Sequence, residues 1–181
     1  MVVGSANMDE MGMGSFGVYG VGGVVRNPID ESYSAGGSSA GSAAAVRSYQ
    51  ALGALGTDTG GSVNYPAHCC GLASLKPSYG RISRFGQLLY SSSNETTGPM
   101  AHSIEDIHSL FSIMEGPDKN DSHCIDFTKL KKIRHMNRIT DKSLSQEGIL
   151  EGVKVGVLDE FNISELDDRN RNMQEKVLGL L

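Results

Sequence analysis

The distribution of glycine constrains this chain more than any other feature of its sequence. Glycine accounts for 23 of the 181 residues, and most of these glycines precede Arg81. This share is about twice the average for soluble proteins. Because glycine adopts backbone conformations that other residues avoid and lets backbones approach closely, we expect a first half built from tight turns and close backbone contacts.

Composition and charge argue against several classes of protein. The net charge of −5 and the pI near 5.5 argue against a chain that binds nucleic acid by itself, since such domains are usually basic. No apolar run approaches the ~18 residues of a membrane span. Three cysteines, with Cys69 and Cys70 adjacent, make no disulfide framework and indicate a reduced, intracellular compartment.

Local patterns predict alternating helices and strands, which indicates an α/β protein. Ser38 or Ser39 precedes a run of small residues and is suited to cap a helix there. The predicted elements are a helix over residues 39–46 that continues to about residue 52, a short buried strand over 53–57, a loop over 58–64, a helix over 104–114, a strand over 154–158 and a helix over 164–181.

The remaining stretches predict how the chain is organised. Residues 117–148 are polar and rich in lysine, which indicates an exposed connection. Met1 lies inside an apolar segment and Leu181 inside an amphipathic one. We therefore expect the chain to be a fragment that is incomplete at both ends.

Two serine-bearing segments carry the candidate chemistry: Gly36-Gly37-Ser38-Ser39-Ala40-Gly41-Ser42 and Thr57-Asp58-Thr59-Gly60-Gly61-Ser62. A serine hydroxyl becomes a nucleophile when a base takes its proton, and its attack on a carbonyl needs donors for the developing oxyanion. Residues 59–62 offer four consecutive backbone N–H groups. On these grounds alone, the same stretch could equally be a glycine turn that binds an anion.

The surrounding motifs resemble the amidase signature family, and within it the A subunits of glutamyl-tRNA(Gln) amidotransferases. The similarity runs from about residue 3 to residue 121. The motifs that carry it, besides the two serine segments, are Asn7-Met8-Asp9-Glu10, Arg26-Asn27-Pro28, Cys70-Gly71-Leu72, Leu75-Lys76-Pro77-Ser78-Tyr79-Gly80-Arg81 and Ser83-Arg84-Phe85-Gly86.

The resemblance implies a fold as well as a chemistry. We expect a mixed β-sheet flanked by helices on both sides. Residues 1–181 would form a partial amidase domain. Its parts would be a signature core over about residues 3–121, a connecting loop over about 117–148, and a strand and helix over 151–181.

The implied chemistry assigns roles to particular residues. Ser62 would attack the side-chain amide of glutamine and form an acyl ester. Ser38, which follows a cis peptide bond in the family, would relay the proton between Ser62 and a lysine. The oxyanion and the acyl group would be held by Thr59, Gly60, Gly61, Ser62, Met13 and Gly14.

The resemblance also implies partners and a place in metabolism. The enzyme would be a carbon–nitrogen ligase that uses glutamine as nitrogen donor. This subunit would need no metal or other cofactor, whereas the complex would use ATP and Mg. A B subunit and a small third subunit would convert Glu-tRNA(Gln) to Gln-tRNA(Gln) with the released ammonia.

Departures from the family pattern bear on localisation. They fall at Ala40, at residues 64–65 and at residues 91–97. They favour the mitochondrial matrix, with bacterial cytoplasm and plastids as alternatives.

One departure concerns the catalytic base. The family's lysine lies upstream of both serines, yet the first lysine here is Lys76, which belongs to the Leu-Lys-Pro element. The resemblance therefore implies that this chain alone is inactive. Two further interpretations stay open: a stand-alone amidase acting on small amides, and a non-catalytic fragment.

Other motif matches indicate no further site. Residues 12–17 match a dinucleotide-binding fingerprint, but the glycines and Pro28 that follow leave no room for the required helix. Residues 37–41 match a nucleophile elbow without the strand that precedes one. His68, Cys69 and Cys70 are too close together for a zinc site and are expected to be buried and structural. The basic residues between 129 and 138 are expected to be solvated.

Overall fold

The computed structural model describes residues 1–126, 154, 156 and 167–179. The chain divides into two compact units, Met1–Lys131 and Lys132–Leu181. The predicted strand over residues 154–158 and the basic residues between 129 and 138 lie outside the described residues, apart from residues 154 and 156. Residues 117–126, the described part of the predicted connection, contain neither a helix nor a strand.

The first unit alternates short strands with short helices and opens with a 3₁₀ turn at Glu10–Gly12. In chain order its described elements are β1 (Arg26–Asn27), β2 (Asp30–Ser34), α1 (Ala40–Arg47), β3 (Gly53–Asp58), α2 (Asn64–Cys69), β4 (Ala73–Ser74), β5 (Thr96–Ala101) and α3 (Ile104–Met114). The α/β prediction is confirmed.

Three strands form the sheet that carries the candidate site, in the order β3-β5-β4. Both pairings are antiparallel, with Asp58 opposite Thr96 at one end of β3 and Gly53 opposite Ala101 at the other. The predicted mixed sheet also requires parallel pairings, and the described strands form none. The strand predicted over residues 53–57 is present, but it lies at an edge of the described sheet and Leu55 is half exposed, so its predicted burial is wrong.

Helices α1 and α3 pack on opposite faces of this sheet. Side chains alternate between the faces of a strand, so Gly53 and Gly56 point to opposite sides. A side chain at Gly53 would meet Leu110 of α3, and one at Gly56 would meet Ser39 at the start of α1. The expectation of helices on both sides of the sheet is therefore met.

Small side chains allow α1 and α2 to approach the sheet closely. The buried cluster between them consists of Ala35, Ala40, Ala43, Val63, Ala67, Cys70 and Met100. Alanine is the strongest helix former and adds little bulk, so the alanine run serves both the helix and its close packing. The start of α1 and the segment before α2 are thereby brought together.

Helix α1 is shorter than its sequence predicts. It ends at Arg47, and Tyr49 adopts a positive φ of 59°, which a helix cannot contain. The predicted extension to residue 52 is therefore wrong. Ser39 occupies the N-cap position but makes no capping bond, because its hydroxyl donates to the Thr57 carbonyl oxygen of β3 at 3.3 Å.

Helix α3 has the predicted bounds. The Ser103 hydroxyl caps it by accepting the Asp106 N–H at 3.1 Å.

In the second unit, the described part of the helix predicted over residues 164–181 is α4 (Asp168–Leu178), which Asp167 caps through the Asn170 N–H at 2.8 Å. Within the described residues, no helix combines the length and apolar character that crossing a bilayer requires.

Residues 83 and 84, which follow β4 in the chain, are held by acidic residues of the loop after α3. The Ser83 hydroxyl donates to Asp118 at 2.6 Å, and the Arg84 N–H donates to Asp121 at 2.9 Å. These bonds lower the pKa of both carboxyl groups from the usual 3.8. The guanidinium of Arg84 also lies 4.4 Å from the ring centre of Tyr79.

Candidate active site

The fold brings the two serine-bearing segments into direct contact. The N–H of Ser39 donates to the carbonyl oxygen of Ser62 at 3.2 Å, and the N–H of Asp9 donates to the carbonyl oxygen of Ser38 at 3.0 Å. The Gly37–Ser38 peptide bond is cis, as the resemblance implied. Three distant stretches of sequence therefore meet around Ser38.

The hydroxyl of Ser38 is fully enclosed and makes no hydrogen bond among the described residues. A buried polar group without a partner costs ~1–3 kcal/mol, so such groups are rare outside functional sites. The predicted relay requires this hydroxyl to bond both Ser62 and a lysine, and neither bond is formed among the residues described. The proton relay remains a prediction.

Ser62 is half-buried and lies two residues before α2. Residues 59–62, which we call the Ser62 loop, follow β3 directly. Gly61 has a φ of 116°, a conformation open mainly to glycine, and Gly60 is exposed with free space around its Cα. The two glycines let the backbone turn sharply immediately before Ser62.

A buried carboxylate, Asp58, organises the Ser62 loop. It is fully enclosed and accepts the N–H groups of Gly61 at 2.8 Å, Val63 at 2.8 Å and Asn64 at 3.2 Å. Burial by itself would raise the pKa of this carboxyl. The hydrogen bonds from Lys76 and from the three backbone N–H groups outweigh burial and hold the pKa below 3.8.

These bonds bear on the predicted oxyanion donors, which remain a prediction. The N–H of Gly61 is committed to Asp58, so it does not face a substrate in this conformation. The N–H groups of Thr59, Gly60 and Ser62 donate to no acceptor among the described residues. The donors that stay available to an oxyanion are therefore those three.

Lys76 contacts the start of the Ser62 loop. Its Nζ lies 2.9 Å from Asp58 Oδ1 and donates to the Thr59 carbonyl oxygen at 2.7 Å. Lys76 makes no hydrogen bond to the Ser38 hydroxyl, which has no partner among the described residues. An open cleft of about 420 Å³ beside this pair is lined by Thr59 and Lys76 but by neither serine.

A second buried carboxylate, Asp9, shapes the loop that contains Met13 and Gly14. It accepts the N–H of Gly17 at 2.9 Å and the N–H of Tyr19 at 2.8 Å. Gly14 packs so tightly on this carboxylate that any side chain there would overlap it. Gly14 therefore has a packing role that the sequence interpretation did not foresee.

The residue of this loop that faces Ser38 is Gly12. A methyl group at Gly12 would lie 3.8 Å from the Ser38 hydroxyl and 3.6 Å from the Cβ of Tyr90. The side chain of Met13 is 60% exposed. The predicted contact of Met13 with an acyl group remains a prediction, and Gly12, one residue earlier, approaches Ser38 directly.

Sequence reasoning missed Asp9, Asp58 and Lys76 as organisers of the site. An aspartate shortly before a glycine turn is a usable signal, because its carboxylate can accept N–H groups a few residues later. This signal would have identified Asp58. The pairing of Asp58 with Lys76 depends on the tertiary fold and leaves no local pattern.

The histidine and cysteines after Ser62 form no metal site within the described residues. His68 is exposed, so its predicted burial is wrong, whereas Cys70 is fully buried. Burial and the neighbouring Cys69 raise the pKa of the Cys70 thiol to about 11, which keeps it protonated and inert. Among the described residues, no three His, Cys, Asp or Glu side chains are placed to hold a metal ion.

Comparison with known proteins gives consistent results. A model of the protein family described as Amidase matches residues 1–181. The A subunit of the glutamyl-tRNA(Gln) amidotransferase of Symbiobacterium thermophilum is 41% identical over 182 residues, which cover 97% of this chain and 37% of that protein. The protein of the same name from Methanospirillum hungatei is 42% identical over 160 residues, covering 88% and 34%. The chain thus spans about a third of the length of these curated relatives.

Several solved structures also resemble the chain. The A subunit of the Thermotoga maritima glutamyl-tRNA(Gln) amidotransferase has a TM-score of 0.67 and 43% identity, covering 70% of this chain and 28% of that one. The peptide amidase of Stenotrophomonas maltophilia has a TM-score of 0.65 and 38% identity, covering 68% and 26%. A 6-aminohexanoate cyclic dimer hydrolase has a TM-score of 0.62 and 38% identity, covering 67% and 26%.

Proposed function

Because this chain belongs to the amidase signature family, we propose that it forms the serine-bearing part of the glutamine-hydrolysing A subunit of a glutamyl-tRNA(Gln) amidotransferase. The observation that carries this proposal is the 41–42% identity to proteins of that name over 88–97% of the chain. The contact between the segments of Ser38 and Ser62 supports the same chemistry.

In the proposed reaction, Ser62 Oγ attacks the side-chain carbonyl carbon of glutamine. The C–N bond breaks, the amide nitrogen leaves as ammonia, and the serine proton reaches it through Ser38. Water then hydrolyses the glutamyl ester, so that glutamine and water give glutamate and ammonia. The free N–H groups of Thr59, Gly60 and Ser62 supply donors for the oxyanion.

The proposed setting is a heteromeric complex. A B subunit and a small third subunit would receive the ammonia, and the complex would use ATP and Mg to convert Glu-tRNA(Gln) to Gln-tRNA(Gln). We propose the mitochondrial matrix as its location, with bacterial cytoplasm or plastids as alternatives. Import of the full-length protein into isolated mitochondria tests this location.

The proposal predicts a specific loss of activity in Ser62→Ala. In the full-length gene product with its B subunit, we expect ammonia release from glutamine to fall by at least ~10³-fold, because the acyl ester cannot form. Ser109→Ala, which changes an exposed serine of α3, serves as the matched control. Equal activity of the two variants would exclude Ser62 as the nucleophile.

A stand-alone amidase is the second candidate. The 38% identity to a peptide amidase favours it, since that enzyme shares the same segment of fold. The same ammonia assay, run with simple amides beside glutamine, separates the two candidates. A preference for simple amides would replace the first proposal, and no turnover of any amide by the full-length protein would favour a non-catalytic role.

A further inference from the structure

We propose that Lys76 is a positioning residue for the Ser62 loop and that it acts through the buried carboxylate of Asp58. Lys76 touches neither serine hydroxyl, so its effect on the reaction is indirect. The catalytic part of this inference rests on the proposed function. Its structural part, the control of the loop by Lys76, stands on the contacts alone.

The first contact is the ion pair between Lys76 and Asp58. Asp58 is completely enclosed, whereas about a third of the Lys76 side chain is exposed. A buried carboxylate is strongly disfavoured in its charged form unless a cation or several donors compensate it. The groups that face this carboxylate among the described residues are Lys76 and the N–H groups of Gly61, Val63 and Asn64, so Lys76 supplies the compensating charge.

Backbone hydrogen bonds link the Asp58 carboxylate to the residues on both sides of Ser62. Gly61 and Val63 are the two neighbours of Ser62, and both donate their N–H groups to Asp58 at 2.8 Å. An ionised carboxylate has the acceptor positions for these donors and for Lys76 together. Protonation or rotation of Asp58 would therefore release the backbone on both sides of Ser62.

The second contact orients an oxyanion donor. In a trans peptide unit the carbonyl oxygen and the following N–H point in opposite directions, and the Thr59–Gly60 bond is trans. Lys76 Nζ holds the Thr59 carbonyl oxygen at 2.7 Å. The N–H of Gly60 must then point away from Lys76, and it donates to no acceptor among the described residues. Lys76 thus sets the direction of this N–H as well as the charge of Asp58.

Amide hydrogen exchange tests the structural part without requiring activity. In Lys76→Met, we expect the amides of Gly61, Val63 and Asn64 to exchange about 10-fold faster than in the unmodified full-length protein, the loss expected when a charge-assisted bond is removed. The difference should grow as the pH falls, because Asp58 without its ammonium partner takes up a proton more readily. Lys119→Met, at an exposed loop lysine, is the matched control.

Activity measurements test the catalytic part. We expect Lys76→Met to lower kcat for amide hydrolysis by about 10- to 100-fold with a smaller effect on KM, since a small displacement of the reacting groups has this cost. The acid limb of its pH profile should move to higher pH. Lys76→Arg, which keeps the charge, should retain the acid limb of the unmodified protein.

Each outcome has a distinct meaning. Unchanged exchange at residues 61, 63 and 64 in Lys76→Met would overturn the inference, as would a uniform loss of protection throughout the first unit. If the unmodified protein hydrolyses no amide, the proposed function fails while the exchange result still decides the role of Lys76. Should Lys76→Met not fold, Lys76→Gln, which keeps a donor for Thr59 without the charge, carries the same exchange test.

Discussion

At the scale of single residues, the site rests on buried polar groups that are satisfied to very different degrees. Asp58 has three backbone donors and an ammonium partner, whereas the Ser38 hydroxyl has no partner among the described residues. Burying a polar group without a hydrogen bond lowers the stability of a fold. A group retained under that condition is best explained by chemistry rather than by stability.

This contrast predicts that Ser38→Ala separates activity from stability. We expect ammonia release by the full-length protein to fall by about 10²- to 10⁴-fold, because the proton relay is lost. The free energy of unfolding should stay the same or rise, because no hydrogen bond to the described residues is removed. Denaturant unfolding and the ammonia assay measure the two effects.

Ser42→Ala is the matched control for that measurement. Ser42 is also buried in the same segment, but its hydroxyl donates to the Leu55 carbonyl oxygen at 2.8 Å. Its loss should cost about 0.5–1.5 kcal/mol of stability. If Ser38→Ala destabilises the protein as much as Ser42→Ala does, the Ser38 hydroxyl has a hydrogen-bond partner in solution.

At the scale of elements, sequence predicted what depends on local pattern and missed what depends on distant contacts. Helix α3 was predicted with its bounds because its apolar period is a local pattern. The central strand β5 was missed because Gly98 and Pro99 are typical of a turn, and only pairing with β3 on one side and β4 on the other makes it a strand. The site follows the same rule: the Ser62 loop was predicted, but the Asp58–Lys76 pair was not.

The segment of residues 79–84 should lose stability in acid, because Asp121 holds it through the N–H of Arg84. The Arg84 N–H is the main cause of the lowered pKa of Asp121, so this carboxyl stabilises the fold when ionised. Its contribution is present above its unfolded pKa near 3.8 and is lost as the pH falls through the lower folded pKa. Asp121→Asn should therefore destabilise the protein most near neutral pH, with the difference narrowing below pH 3.8.

Urea unfolding between about pH 3 and pH 7 would measure how the stability difference between Asp121→Asn and the unmodified full-length protein changes with pH. Glu31→Gln, at an exposed carboxylate of β2, is the control and should change stability little at any pH. A difference between Asp121→Asn and the unmodified protein that is constant across this range would show that the Arg84–Asp121 contact does not depend on the charge of Asp121.

At the scale of the whole molecule, the candidate site combines segments that lie far apart in sequence within the first unit. Asp9, the Ser38 segment, the Ser62 loop and Lys76 meet through hydrogen bonds rather than through one continuous motif. The contacts between these segments depend on the tertiary fold, so the two serines were identified by family resemblance, whereas Asp9 and Asp58, whose carboxylates order the neighbouring loops, were missed.

The unequal enclosure of the two serines has a consequence for inhibitor chemistry. Ser62 is reachable from solvent, whereas Ser38 has no exposed surface. A covalent warhead such as a sulfonyl fluoride should therefore modify Ser62 rather than Ser38, and peptide mass mapping should place the adduct on Ser62. Covalent inhibitors of this protein are best built outward from Ser62.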